Sequence, residues 1–138
     1  MRFVVDTNVL IAGLLRASTT RRILVHPDIT FLVPESALDE LDRHAPDLAR
    51  RMGTSRSGVT KAFRELAERI EVVSHDRYAH EMGRARAAVA DIDADDAPFV
   101  ALALACDCPL WTLDRALRGQ DVVRVVHTKA LLRHIDEA

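Results

Sequence analysis

The amino-acid sequence predicts an α/β fold, a three-layer α/β/α sandwich around a parallel sheet of about five strands. Three observations predict it. Short apolar runs that read as strands recur along the chain. Stretches of helical spacing separate them, the alternation expected when a parallel sheet is covered on both faces. One helical stretch, "APFVALALAC", is apolar almost all round and should therefore be central and buried.

The elements follow in order. Residues 2–6 read as a strand ending in Asp6-Thr7-Asn8, and residues 9–15 as a helix. A second short helix is expected over 19–25 and a second strand over 30–33. Pro34-Glu35-Ser36 opens a helix that runs until Pro46 disturbs it. The stretch 45–58, "APDLARRMGTSRSG", is the most polar and broken of the chain and is the candidate for a mobile excursion. Helical spacing resumes over 56–69, with Ala62, Phe63, Leu66, Ala67 and Ile70 on one stripe. A third strand is expected over 71–74 and a helix over 76–89. Asp96 starts the buried helix, with Pro98 in its first turn. Strands over 110–112 and 122–126 follow, and Thr128 caps the last helix.

The 138 residues suit one domain spanning 1–138 with a real core, and no repeat, low-complexity segment or linker divides them. Apolar residues at 49% and charged residues at 29% are ordinary for a soluble globular chain. Residues 97–106 are the longest near-apolar stretch and too short for a bilayer, and the first residues lack a signal-peptide pattern, so a cytoplasmic protein is expected. The net charge of −2 excludes a basic, chain-wide nucleic-acid footprint. Cys106 and Cys108 have no second cluster to complete a zinc site and read as reduced packing residues.

The chemistry is in the acids. Right-handed βαβ units gather helix N-termini at the C-terminal edge of the strands, where open α/β sheets bind ligands. Asp6 ends the first strand, and Asp114 follows the fourth in "LWTLD". Asp93, Asp95 and Asp96 stand at the start of the buried helix, and Glu40 lies about one turn into the helix after the second strand. Each acid alone reads equally well as a helix cap or a solvated charge. Periodicity does not choose between Glu40 and its neighbour Asp42, which flank opposite sides of one apolar stripe. Acids from four separate segments converging on one edge are harder to explain by capping. Crowded carboxylates repel, and a hard divalent cation bound through oxygen relieves them. Asn8 and Thr112 add uncharged oxygens there.

With these residues in place the sequence resembles the PIN domain family of metal-dependent nucleases, which includes toxin halves of prokaryotic toxin–antitoxin pairs. "FVVDTNVLIAGLL" is similar to the family's opening strand and turn, "DADDAPFVALALAC" to its third-acid helix, and "PLWTLD" to its Thr-x-Asp motif. "PESALDEL" places Glu40 at the family's glutamate position. The resemblance implies a sheet order of 3-2-1-4-5. It implies Asp6, Glu40, Asp96 and Asp114 as metal-site acids for Mg²⁺ or Mn²⁺, supported by Thr7, Asn8 and Thr112, with Asp93 as a fifth acid. The activity implied is endoribonucleolytic, water attacking in line to leave 5′-phosphate and 3′-hydroxyl ends. RNA, a cognate antitoxin protein and a second copy of the chain are the partners expected.

Two other readings compete. A catalytically silent PIN-fold module would bind RNA or protein and use the acids as caps. A phosphoacceptor receiver domain would use Asp76, but the first strand carries one acid rather than an adjacent pair. For substrate contact, Arg115 and Arg118 lie beside Asp114, and Arg50, Arg51, Arg56, Lys61, Arg64 and Arg69 make a locally basic stretch. With four Phe, one Trp and one Tyr, the chain offers no aromatic series for stacking bases. Val9, Leu10, Leu14, Leu15 and the Phe63–Leu66 pair suggest apolar surface beyond what one sheet face needs, consistent with a homodimer.

Overall fold

The central strands read as continuous apolar runs because they are buried on both faces: Val4, Val5, Phe31, Leu32, Val33, Leu110 and Trp111 have no solvent exposure. The computed structural model describes residues 1–15 and 18–137. It contains β1 (Arg2–Val5), α1 (Thr7–Leu14), α2 (Ser18–Leu24), β2 (Thr30–Pro34), α3 (Ser36–Met52), α4 (Arg56–Ala67), β3 (Ile70–Val73), α5 (Met82–Ala88), α6 (Ala97–Cys106), β4 (Leu110–Trp111), β5 (Val125–Val126) and α7 (Thr128–Glu137). The strands form one parallel sheet in the order β3-β2-β1-β4-β5, flanked by helices. Both the three-layer class and the strand order are as expected. Register places Val5 opposite Trp111, and the Asp6 amide donates to the Trp111 carbonyl at 3.0 Å, so the ends of β1 and β4 lie side by side. Among the described residues no helix is long and apolar enough to cross a membrane.

The core is centred where the sequence places it. Phe99, Val100, Ala101 and Leu102 of α6 are fully buried, and Phe31 bridges Phe3 and Trp111 at ring separations of 6.4 and 5.6 Å. Asp107, at φ 51, ends α6 in the left-handed conformation that Asp tolerates better than most residues.

Four expectations are corrected. Pro46 does not end its helix: α3 continues to Met52. Proline deletes only its own amide bond, and both Pro46 and Asp42, whose carbonyl loses its donor, are exposed to water. Meanwhile Ala37, Leu41, Ala45, Leu48 and Ala49 keep one buried stripe across it. Residues 45–58 are consequently a helix–turn–helix rather than an excursion. Gly53, at φ 66, closes α3 with its amide on the Ala49 and Arg50 carbonyls, and the Ser55 hydroxyl accepts from the Gly58 amide to open α4. The helix expected over 76–89 is two single 3₁₀ turns and then α5, because the buried Tyr78 anchors the chain between the turns. β5 is shorter than expected, since the Val122 and Val123 amides donate to Gln120 Oε1 instead of extending the ladder.

The apolar residues invoked for self-association are also accounted for within one chain. Val9, Leu10, Leu14 and Leu66 are buried, and Leu15 and Phe63 pack against the same core. The residue-level argument for a homodimer therefore falls.

Candidate metal centre

Topology alone brings the ends of β1 and β4 and the starts of α3 and α6 to one edge, and the side chains there form a connected set. The Asp114 amide donates to Thr112 Oγ1 at 3.0 Å, and that hydroxyl donates to Asp6 Oδ2 at 2.7 Å. Thr112 is fully buried and Asp6 is 4% exposed. Burial pushes the Asp6 carboxyl above the ordinary carboxylate range; the Thr112 hydroxyl and the Asn8 and Thr7 amides oppose the rise, and the Asp114 charge adds to it. Asn8 itself is exposed in the first turn of α1.

Glu40 differs from its neighbours in burial. Asp39 and Asp42 are exposed, whereas Glu40 is half-buried in α3. Burial raises its pKa, with the Thr7 hydroxyl opposing, the Asp6 and Asp95 charges reinforcing, and Arg43 opposing. Thr7 Oγ1 is directed toward Glu40 without completing a hydrogen bond, and it is a buried oxygen without a partner. Asp96 shows the crowding most clearly. Burial and then the charges of Asp6, Asp93, Asp114 and Glu40 push its carboxyl up to about 7. Its Oδ2 is buried and has no hydrogen-bond partner.

Capping explains two of these acids and fails for two. Asp93 accepts from the Asp95 amide and Asp114 from the Ala116 amide, each at 2.9 Å. Asp6 and Asp96 stand at the N-caps of α1 and α6 without making a side-chain cap bond. Thus Asp6, Glu40, Asp93 and Asp114 are all brought within electrostatic reach of Asp96.

The arginines divide. Arg115 and Arg118 are exposed on the 3₁₀ turn that Asp114 caps. Arg50 is ten residues beyond Glu40, about 15 Å along the helix axis, and pairs with Asp47, as does Arg51. The structure does not bring Arg50 and Arg51 to the acids. Asp76 is exposed beyond the edge strand β3, two strands from β1, where the receiver reading needs it central.

Three neighbours escaped sequence reasoning. A groove holds Arg43 and Arg86 beside Glu40 and Asp95. His127, immediately after β5 on the same edge, accepts a hydrogen bond from Arg118. The rule that located Asp6, a polar residue just past an apolar strand, would have found His127.

The donors are oxygens, the ligand type of hard cations, and Asp96 Oδ2 and Thr7 Oγ1 are buried oxygens with unused capacity. Among the described residues no three acidic, imidazole or thiolate groups form a ready-made ligand cluster.

A sequence model of the PIN domain matches residues 4–134. The chain belongs to the PIN domain family. PIN domains are, as a family, nucleases that use divalent metal ions. The fold of this PIN domain is similar to that of VapBC2 from Rickettsia felis bound to a promoter DNA fragment, with TM-score 0.75, 13% identity, and 92% of this chain and 98% of that chain covered. DNA-bound VapBC from Salmonella typhimurium gives TM-score 0.75 and 18% identity over 93% and 98% of the two chains. VapBC-5 of Mycobacterium tuberculosis, a toxin–antitoxin family member, gives 0.60 and 22% over 91% and 98%. No curated protein matches this PIN domain.

Proposed function

We propose that this PIN domain is an Mg²⁺- or Mn²⁺-dependent endoribonuclease and the toxin of a toxin–antitoxin pair. The observation that carries the reading is Asp96: a buried, unpartnered carboxylate oxygen facing the charge of four other acids is a poor helix cap and a good cation ligand. In this reading Asp6, Glu40, Asp96 and Asp114 hold the cation, with Asp93 beside them. Bound there, it would supply the Lewis acidity that polarises a phosphodiester oxygen and the lowered pKa that makes water nucleophilic near neutral pH.

The chain's own residues have separable tasks. Thr112 fixes the Asp6 carboxylate through its 2.7 Å hydrogen bond, so that the central acid is oriented before substrate arrives. Asp114 positions its carboxyl while capping the turn that carries Arg115 and Arg118. Those exposed guanidiniums hold the RNA backbone beside the acids. Thr7 and Asn8 supply uncharged polar groups next to Asp6.

The test is cleavage of end-labelled RNA with EDTA, Mg²⁺ or Mn²⁺, on wild type and Asp6→Asn. Cation-dependent cleavage leaving 5′-phosphate and 3′-hydroxyl ends, lost in Asp6→Asn, is expected. RNA binding without cleavage under every condition would favour the silent binding module instead.

A further inference from the structure

We propose that His127 is a positioning residue, holding the Arg118 guanidinium at the flank of the acidic site to receive a phosphate of the substrate backbone; the proposal rests on the ribonuclease reading above.

The structure invests in Arg118 at two levels. Its backbone belongs to a 3₁₀ turn, Arg115–Gly119, that starts from the Asp114 cap and is anchored by the fully buried Leu117. Gln120 then locks the turn's exit. Its Nε2 donates to the Leu117 and Val123 carbonyls at 2.9 and 3.0 Å, and its Oε1 accepts from the Val122 and Val123 amides at 3.0 Å each. The Arg118 side chain is fixed separately, by donation from Nε to His127 Nε2 at 2.6 Å. His127 is itself held at the edge. Thr112 and Val126 are joined by a backbone bond of 3.3 Å, and Trp111 Nε1 donates to Thr128 Oγ1 at 3.2 Å, so the residues on either side of His127 are tied to β4.

The chemistry of the contact gives its direction. Imidazole Nε2 can accept only when it carries no proton, so in this contact His127 is a neutral acceptor and adds no charge. Using Nε leaves both terminal NH₂ groups of Arg118 free, which is the pair that grips phosphate oxygens. Among the described residues Arg118 forms no ion pair with a carboxylate. An exposed arginine normally loses considerable side-chain entropy on binding a ligand, and holding it beforehand lowers that cost.

The test compares wild type, His127→Ala, His127→Gln, Arg118→Ala and His127→Ala/Arg118→Ala. A fluorescein-labelled single-stranded RNA is bound in EDTA over a range of NaCl, and Mn²⁺-supported cleavage of the same RNA is followed at steady state. Arg118→Ala is expected to reduce the slope of log affinity against log salt by about 0.7, one phosphate contact on a single strand. His127→Ala should raise KM several-fold and flatten the slope part of the way, with kcat unchanged. His127→Gln, whose amide oxygen can accept from Nε, should restore both, and the double variant should bind no worse than Arg118→Ala. If wild type cleaves RNA but the two substitutions are additive, or His127→Ala binds and cleaves like wild type, His127 does not position Arg118. If His127→Ala fails to fold, the His127→Gln values must match wild type, and a shallower salt slope there overturns the proposal. Wild type that neither binds nor cleaves RNA overturns the ribonuclease reading, and the role of His127 with it.

Discussion

Replacing Asp96 by Asn should stabilise the cation-free protein, and only above the pH at which carboxylates normally ionise. Asn is near-isosteric and an equally good N-cap residue, and Asp96 makes no cap bond to lose. A carboxyl that ionises at about 7 instead of 3.8 disfavours its charged form in the folded state. At full value that is about 4 kcal/mol, which solvent on the exposed side of a half-buried group screens to roughly 2 kcal/mol. The sign follows from proton uptake. Below the unfolded pKa both states are protonated and nothing is lost; as pH rises toward 7 the unfolded chain ionises first, and the folded protein loses stability progressively. Above that the difference is constant. Wild type and Asp96→Asn should therefore differ by only about 1 °C at pH 4, just above the unfolded pKa, and the variant should melt roughly 6–8 °C higher at pH 8 in EDTA. Mn²⁺ at pH 8 should raise wild type and close the gap, because a cation that binds only the folded form stabilises it by mass action. An offset that is the same at pH 4 and pH 8 would refute the account of crowding at Asp96.

Three further outcomes are expected. Thr112→Val deletes the hydrogen bond to the buried Asp6 carboxylate and should cost about 1–3 kcal/mol in urea denaturation, more at pH 8 than at pH 5; equal stability at both would show that the bond does not hold the acid. Glu40→Gln should abolish RNA cleavage while Asp42→Asn and Asp39→Asn cleave normally, and the reverse pattern would reassign the helix acid. Gln120→Ala breaks four hydrogen bonds around residues 117–123 and should lower stability by about 2–3 kcal/mol, read by chemical denaturation; a change under half a kcal/mol would mean that water replaces the clamp.

What the sequence made legible was what topology and periodicity control. Apolar runs located all five strands, and the apolar-all-round character of residues 97–106 located the central helix, because burial on every side leaves no polar face to misread. Asp6 and Asp114 could be placed at the sheet edge because Asp6 directly follows β1 and Asp114 lies three residues past β4. The errors came from interactions distant in sequence or specific to one side chain. Pro46 reads as a breaker, yet its helix persists because the amphipathic stripe outweighs one lost bond. Val122 and Val123 read as strand, yet Gln120 captures their amides. Glu40 and Asp42 were indistinguishable by periodicity; Glu40 is half-buried near Asp6 and Thr7, whereas Asp42 is exposed. Leu10 and Leu14 suggested surplus surface because a sequence does not reveal how much of a helix its neighbours cover.

The central claim is that the acids of β1, α3, α6 and β4 hold a divalent cation. An anomalous difference map from crystals soaked in Mn²⁺ tests it most directly. The account predicts a peak bounded by the carboxylates of Asp6, Asp96 and Asp114, with Glu40 on its far side directly or through water, and no peak in Asp6→Asn crystals treated identically. A wild-type map with no peak at that edge, or with its manganese bound elsewhere, would contradict it.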